Sequence, residues 1–160
     1  MKTYLIVFAL VISMLVGAIT LSGNSSHFKH LFSPSPSPND MTPTATTLQV
    51  RVGSASFTAI VQNNETTKAW LAQLPLSLEM EDLNRNEKFS KLPKSLPTEP
   101  INPGTIQRGD ILLWGNQTVV IFYETFSTSY SYTRLGKIEN TAGLKEALGQ
   151  GSVRVLFSRE

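Results

Sequence analysis

From Leu48 onward, turn signals cut the chain into short runs of alternating polarity, and this punctuation limits the folds open to it. Leu48-Gln-Val-Arg-Val52 alternates apolar and polar residues, and Phe57-Thr-Ala-Ile-Val61 is rich in strand formers. Gly53-Ser54 lies between them and suits a two-residue hairpin turn. Leu76-Ser-Leu-Glu-Met-Glu-Asp-Leu83 alternates again, with Leu78 and Met80 on one face and Glu79 and Glu81 on the other. Ile111-Leu-Leu-Trp114 and Thr118-Val-Val-Ile-Phe-Tyr123 flank a Gly115-Asn116 turn and are apolar enough to be central. Ser152-Val-Arg-Val-Leu-Phe157 reads as a closing strand. Two short helices fit between the runs. Asn64 can cap the first, which extends to about Leu74 before Pro75 and turns Leu71 and Leu74 inward. The second covers Thr141 to Leu148, with Asn140 as N-cap and Gly149 just past its end. Residues 84–105 hold Pro93, Pro97, Pro100 and Pro103 and read as a proline-rich excursion. Six or more strands with two short helices in residues 47–160 predict a mainly β fold, a small closed barrel and not a sandwich or a βαβ sheet.

Two segments precede this domain. Residues 4–21 carry no charge and follow Lys2, which orients the N-terminus toward the cytoplasm. The run is short for crossing ~30 Å of hydrocarbon and long for a signal-peptide core. A membrane anchor with the domain outside the cytoplasm is expected; secretion after cleavage near Val16-Gly17-Ala18 is the alternative. Residues 23–46, with Ser33-Pro-Ser-Pro-Ser-Pro38 and Met41-Thr-Pro-Thr-Ala-Thr46, bury too little apolar surface to offset chain entropy. They read as an extended spacer, and no base flanks the Ser-Pro repeat to support a PxxP ligand. The expected division is 1–22 signal-anchor or signal peptide, 23–46 linker and 47–160 domain.

The chain has no cysteine, and both histidines, His27 and His30, fall in the linker. The domain therefore lacks the groups for Ser-His-Asp or Cys-His nucleophiles, thiolate redox chemistry, and zinc or haem held by Cys or His. Carboxylate, lysine, arginine, tyrosine and hydroxyl chemistry remain, or binding without bond-making; no cofactor and no metal site is expected. From Thr47 onward, 12 Lys and Arg face 11 Asp and Glu, scattered singly. No nucleic-acid partner is expected from that balance, and membrane contact only through residues 4–21. Oligomeric state leaves no sign in the sequence.

Several longer motifs are specific. Asn84-Arg-Asn-Glu-Lys-Phe89, Leu92-Pro-Lys-Ser-Leu-Pro97, Gly109-Asp-Ile111, Phe122-Tyr123, Phe126-Ser-Thr-Ser-Tyr-Ser-Tyr-Thr133, Leu135-Gly136 and the closing Gly143-Leu144, Ala147-Leu-Gly149 and Val153 to Phe157 resemble the bacterial and archaeal cyclophilin-like domain family. The resemblance spans about residues 48–158 and implies a closed cyclophilin-type barrel capped by two helices. It implies no activity, because that family is known largely by its fold. Ile106-Gln-Arg-Gly-Asp-Ile111 looks like the Gln-Gly-Gly-Asp stretch of true cyclophilins, which isomerise X-Pro bonds with an arginine over the proline amide. Their arginine and Phe-Met pair find no match in Pro100-Ile-Asn-Pro-Gly-Thr105, and their histidine none in the domain. Gly109-Asp110 is accordingly read as a turn entering the Ile111 strand. Peptidyl-prolyl isomerisation of exported proteins stays as the alternative to binding a small ligand or peptide.

Five of the domain's ten aromatic residues fall at Phe122, Tyr123, Phe126, Tyr130 and Tyr132. In an extended segment Tyr130 and Tyr132 point the same way, and with Ser127 and Thr128 they offer flat faces rimmed by hydroxyls. Arg134 follows, suited to an anion or an amide carbonyl, while Asn86, Glu87 and Lys88 precede Phe89 in a turn where Glu87 and Lys88 can orient a ligand. The expected ligand-binding set is thus Tyr123, Phe126, Ser127, Thr128, Tyr130, Tyr132, Arg134, Asn86 and Glu87, and no catalytic residue is assigned. The competing reading has the tyrosines plug a barrel mouth and the asparagines only form turns. Glu79, Glu81 and Asp82 read as a solvated face, not an acid/base pair or a Ca²⁺ site.

Overall fold

The computed structural model describes residues 45–159; residues 4–21, the linker as far as residue 44, and both histidines lie outside the described residues. The elements in order are β1 (Thr47–Val52), β2 (Ala55–Val61), α1 (Glu65–Leu71), β3 (Leu76–Leu83), β4 (Glu87–Lys91), β5 (Thr105–Ile106), β6 (Asp110–Trp114), β7 (Thr118–Phe122), β8 (Phe126–Ser127), β9 (Thr133–Ile138), α2 (Leu144–Leu148) and β10 (Val153–Ser158). Eight strands close an antiparallel barrel in the order β1-β10-β3-β4-β7-β6-β9-β2, and β5 pairs with β8 in a separate small sheet. Closure satisfies every strand edge of the main sheet from within, so the barrel exposes no edge for pairing with another chain. Among the described residues no helix is long and apolar enough to cross a membrane.

Inward-facing side chains of alternate positions fill the barrel: Val50, Ala59, Leu78, Met80, Ile111, Leu113, Val119, Ile121, Leu135 and Phe157 are all buried in one cluster. Trp70 of α1 is wholly buried and meets Phe157 edge-on at 5.4 Å, so the helix docks through its indole. Asn64 caps α1 as expected, accepting from the Thr67 amide at 2.8 Å, but the helix ends at Leu71 and not near Leu74. Leu71 and Leu74 pack only partly buried against the core that Trp70 anchors. The second helix is also shorter than expected. It starts at Leu144 behind Gly143, at φ 74°, while Asn140 accepts from the Ala142 amide in a turn ahead of it.

Four strands appear where the sequence pointed to an excursion and a loop: β4 and β9 of the barrel, and the short β5 and β8. β4 lies inside the supposed excursion, pairing with β3 and β7, and β9 follows the tyrosine run. Position 136 of β9 must be glycine for a packing reason: a Cβ there would sit 2.6 Å from the Ile60 carbonyl oxygen, where β9 presses on β2.

β6 and β7 are apolar on both faces. Ile111, Leu113, Val119 and Ile121 point into the barrel, while Leu112, Val120 and Phe122 point out into a second cluster covered by Ile106, Tyr132 and partly by Phe89 and Phe126. A continuous apolar run in a strand marks burial on both sides, and here the outer cover is made of loops.

Candidate functional site

The outer cover is held by backbone pairing between two loops. Ile101 and Tyr132 exchange amide-to-carbonyl bonds of 2.9 Å in both directions, and the Thr128 amide donates to the Gly104 carbonyl at 2.9 Å. Side chains add to this: the Glu99 amide donates to the Thr133 hydroxyl, and the Asn102 amide group to the Ser129 carbonyl, each at 3.0 Å. A ledge tied at four points is largely pre-formed, which keeps the ordering cost of binding low.

On this ledge the aromatic rings form a relay. Phe126 meets Phe122 at 5.8 Å, Phe122 meets Tyr132 at 5.6 Å, Tyr132 meets Trp114 at 5.4 Å, and Trp114 meets Tyr130 at 5.3 Å. Burial grades along it from the wholly buried Phe122 to Trp114 at 45% and Tyr130 at 61% exposed. Beside its exposed end lies an open cleft of about 550 Å³, lined by Thr98, Pro100, Trp114, Asn116, Ser131 and Tyr132 among others, with no charged side chain in its wall. Tyr130 and Tyr132 do share a side, since both touch Trp114, but only Tyr130 is free; Tyr132 is 6% exposed and plugs the outer cluster.

The other expected site residues separate into groups. Ser127 pairs with Thr105 in the small sheet, and the Thr128 hydroxyl accepts from the Tyr130 amide. Glu87 stands opposite Phe122 in the strand register, partly buried, and its carboxylate has no hydrogen-bond or ion-pair partner among the described residues. Burial, reinforced by the Asp82 charge, pushes Glu87 up to about 7. Burial likewise raises the Tyr132 phenol, and the Glu87 charge adds to the effect. Arg134 is exposed opposite Leu112 and does not line the cleft. Asn86 gives its carbonyl to the Tyr123 and Glu124 amides, a turn-forming part, yet its buried side-chain oxygen has no partner.

Tyr123 belongs elsewhere. Its neighbour Phe122 faces outward, so Tyr123 points into the barrel end, where its hydroxyl donates to Asp82 Oδ2 at 2.6 Å. Lys88, with no exposed surface, donates to the same oxygen at 2.7 Å and to the Gly151 carbonyl. Lys88 and then Tyr123 hold the Asp82 carboxyl below its usual range, while burial and then Asp82 raise the Tyr123 phenol strongly. Asp82, itself partly exposed, therefore joins the buried Lys88 and Tyr123 in a polar triad and is not simply part of the solvated face expected for it. Glu79 and Glu81 are exposed as expected.

Trp114 and Pro100 were missed from sequence, and Lys88, read there beside Glu87 as able to orient a ligand, is instead buried on Asp82. Trp114 ends an apolar strand and reads as core, and nothing local marks Lys88 as the inward residue of its strand. A family model described as the Cyclophilin-like family matches residues 50–158. The chain belongs to the cyclophilin-like family. No curated protein matches it. Its fold is similar to the solution structure of a hypothetical protein from Archaeoglobus fulgidus, at 19% identity and a TM-score of 0.51, covering 72% of this chain and 95% of that one. In this cyclophilin-like barrel the Gln107–Asp110 stretch is a turn: the Asp110 amide donates to the Gln107 carbonyl at 3.0 Å, the Asp110 carboxylate accepts from the Gln107 amide at 2.9 Å, and Gly109 has φ 91°. Arg108 beside it is committed to Glu124 at 3.0 Å and is absent from the cleft wall.

Proposed function

We propose that this cyclophilin-like domain is an exported binding module that holds an uncharged, largely apolar ligand, a short extended peptide or a small molecule of like polarity, against Trp114 and Tyr130. What supports the reading is the exposed Trp114 in the wall of an uncharged cleft, with the exposed Tyr130 edge-on against it. Large aromatic faces left in water are costly unless a partner covers them, and Trp and Tyr dominate binding hot spots for that reason. Hydroxyls of Thr98 and Ser131 and the Asn116 amide group supply a few polar contacts to fix orientation. Export rests on the uncharged run at residues 4–21 and the Ser/Pro/Thr-rich linker behind it; the anchor would leave the cleft facing outward on a tether.

The test is panning of a random heptapeptide library against the full-length protein in detergent, with the Trp114→Ala/Tyr130→Ala double variant as counter-target. Peptides enriched in apolar residues and retained only by the native cleft are expected. Equal retention by both proteins would sink the proposal. A protease-coupled proline-isomerisation assay separates binding from turnover, and a binding module leaves the rate at its uncatalysed value with micromolar protein.

A further inference from the structure

A second concavity lies at one barrel end, between the β3–β4 turn and the loop from α2 to β10. It encloses about 360 Å³ and is lined by Asp82, Arg85, Tyr123, Lys145 and the Gly149-Gln150-Gly151 loop. We propose that this pocket binds a doubly charged oxyanion, inorganic phosphate or the terminal phosphate of a small monoester.

Charge carries the first part of the argument. Arg85 and Lys145 line the pocket against Asp82, a surplus of one positive charge. The lining carboxylate is already satisfied: Asp82 Oδ2 receives Lys88 and Tyr123, and Oδ1 receives the Arg85 amide at 3.1 Å. Glu124 is likewise shared between Arg108 and Lys145. The Arg85 guanidinium is left with no ion pair and no hydrogen bond among the described residues, on the pocket wall. An unpaired guanidinium is a forked donor that suits a tetrahedral oxyanion.

Backbone conformation carries the second part. The Leu83–Asn86 turn, closed by the Asn86 amide on the Leu83 carbonyl, holds Asn84 at φ 52° and Arg85 at φ 57°. Both central residues at positive φ is the pattern of a tight hairpin turn whose second place favours glycine. An arginine kept there bears a conformational cost. Across the mouth, Gly149 and Gly151 at φ 60° and 74° wrap the loop, and buried Lys88 pins it through the Gly151 carbonyl. The pocket is a different surface from the aromatic cleft, so either assignment can fail alone.

The decisive comparison is isothermal titration of the full-length protein in detergent with sodium phosphate and with glycerol phosphate, at ionic strength held constant with sodium chloride. Saturable heat is expected with at least one, and which of them binds tells the free ion from the monoester. Arg85→Gly relaxes the turn and should melt no lower than the native protein, yet bind about tenfold more weakly or worse, as losing one charge-assisted hydrogen bond entails. Lys145→Gln should weaken binding in the same direction. Heats that match a chloride titration, or binding that both variants leave unchanged, would overturn the proposal.

Discussion

Glu87 offers a prediction whose size and sign both follow from its surroundings. Its carboxyl is partly buried, unpartnered, and pushed from 4.5 up to about 7. In the unfolded chain Glu87 loses its proton near 4.5, but in the barrel it keeps it to about 7. Between those values the folded state holds a proton that the unfolded state has released, so stability falls as pH rises through that window. It is unaffected by Glu87 below the window and fully penalised above it. At ~1.4 kcal/mol per unit the ceiling is about 3 kcal/mol, and solvent screening of the exposed part of the side chain lowers this to about 1 kcal/mol. Glu87→Gln removes the ionisation and keeps the shape. Urea unfolding followed by tryptophan emission should give the same midpoint for variant and native protein at pH 4. At pH 8 the variant should be about 1 kcal/mol more stable, with an unchanged denaturant slope. Titrations of Asp82 and the tyrosines are common to both proteins and largely cancel. An offset that is the same at both pH values, or a native protein that is the more stable at pH 8, would refute the burial argument.

Other substitutions probe other parts of the account. Tyr130→Ala should change stability by less than about 0.5 kcal/mol in the same urea assay, whereas Tyr132→Ala should cost about 3 kcal/mol, because only the second empties a buried site. Gly136→Ala should cost about 2 kcal/mol or more, since its Cβ would collide with the Ile60 carbonyl where the barrel closes, and amide exchange should quicken in β2 and β9. Lys88→Met should cost about 3 kcal/mol by leaving Asp82 uncompensated, and adding Asp82→Asn should recover most of it; a second substitution that only adds to the loss would show that the pair does not act as a unit.

The parts of the fold legible in sequence were the strands with a simple polarity pattern. β1 and β3 bury the apolar side of a period-two alternation, while the β6–β7 hairpin shows as two apolar runs around a Gly115-Asn116 turn. β4 reads Glu-Lys-Phe-Ser-Lys, and its inward residue is the lysine while its phenylalanine faces out. Asp82 across the β3–β4 turn and the sequence-distant Gly151 carbonyl make that orientation stable. In β9 the opposing strand is irregular between Ile111 and Leu112, and Thr133, Leu135, Gly136 and Ile138 are all buried, which erases the alternation. For the site, composition located the tyrosine ledge but could not assign burial along it. The same period-two rule that aligned Tyr130 with Tyr132 separates Phe122 from Tyr123, and applied there it would have sent Tyr123 to the barrel interior. Trp114 is invisible as a site residue because its exposure depends on where two loops end, a tertiary fact.

The central claim is that the uncharged cleft at Trp114 and Tyr130 is the surface this domain uses. Backbone amide chemical shifts of the isotopically labelled protein, followed during titration with a peptide selected by panning, test it most directly. The account predicts saturable shifts concentrated at residues 98–101, 113–116 and 128–133, with the β1–β10 side of the barrel unmoved. Saturable shifts centred on another face, with residues 113–116 and 128–133 silent, would contradict it.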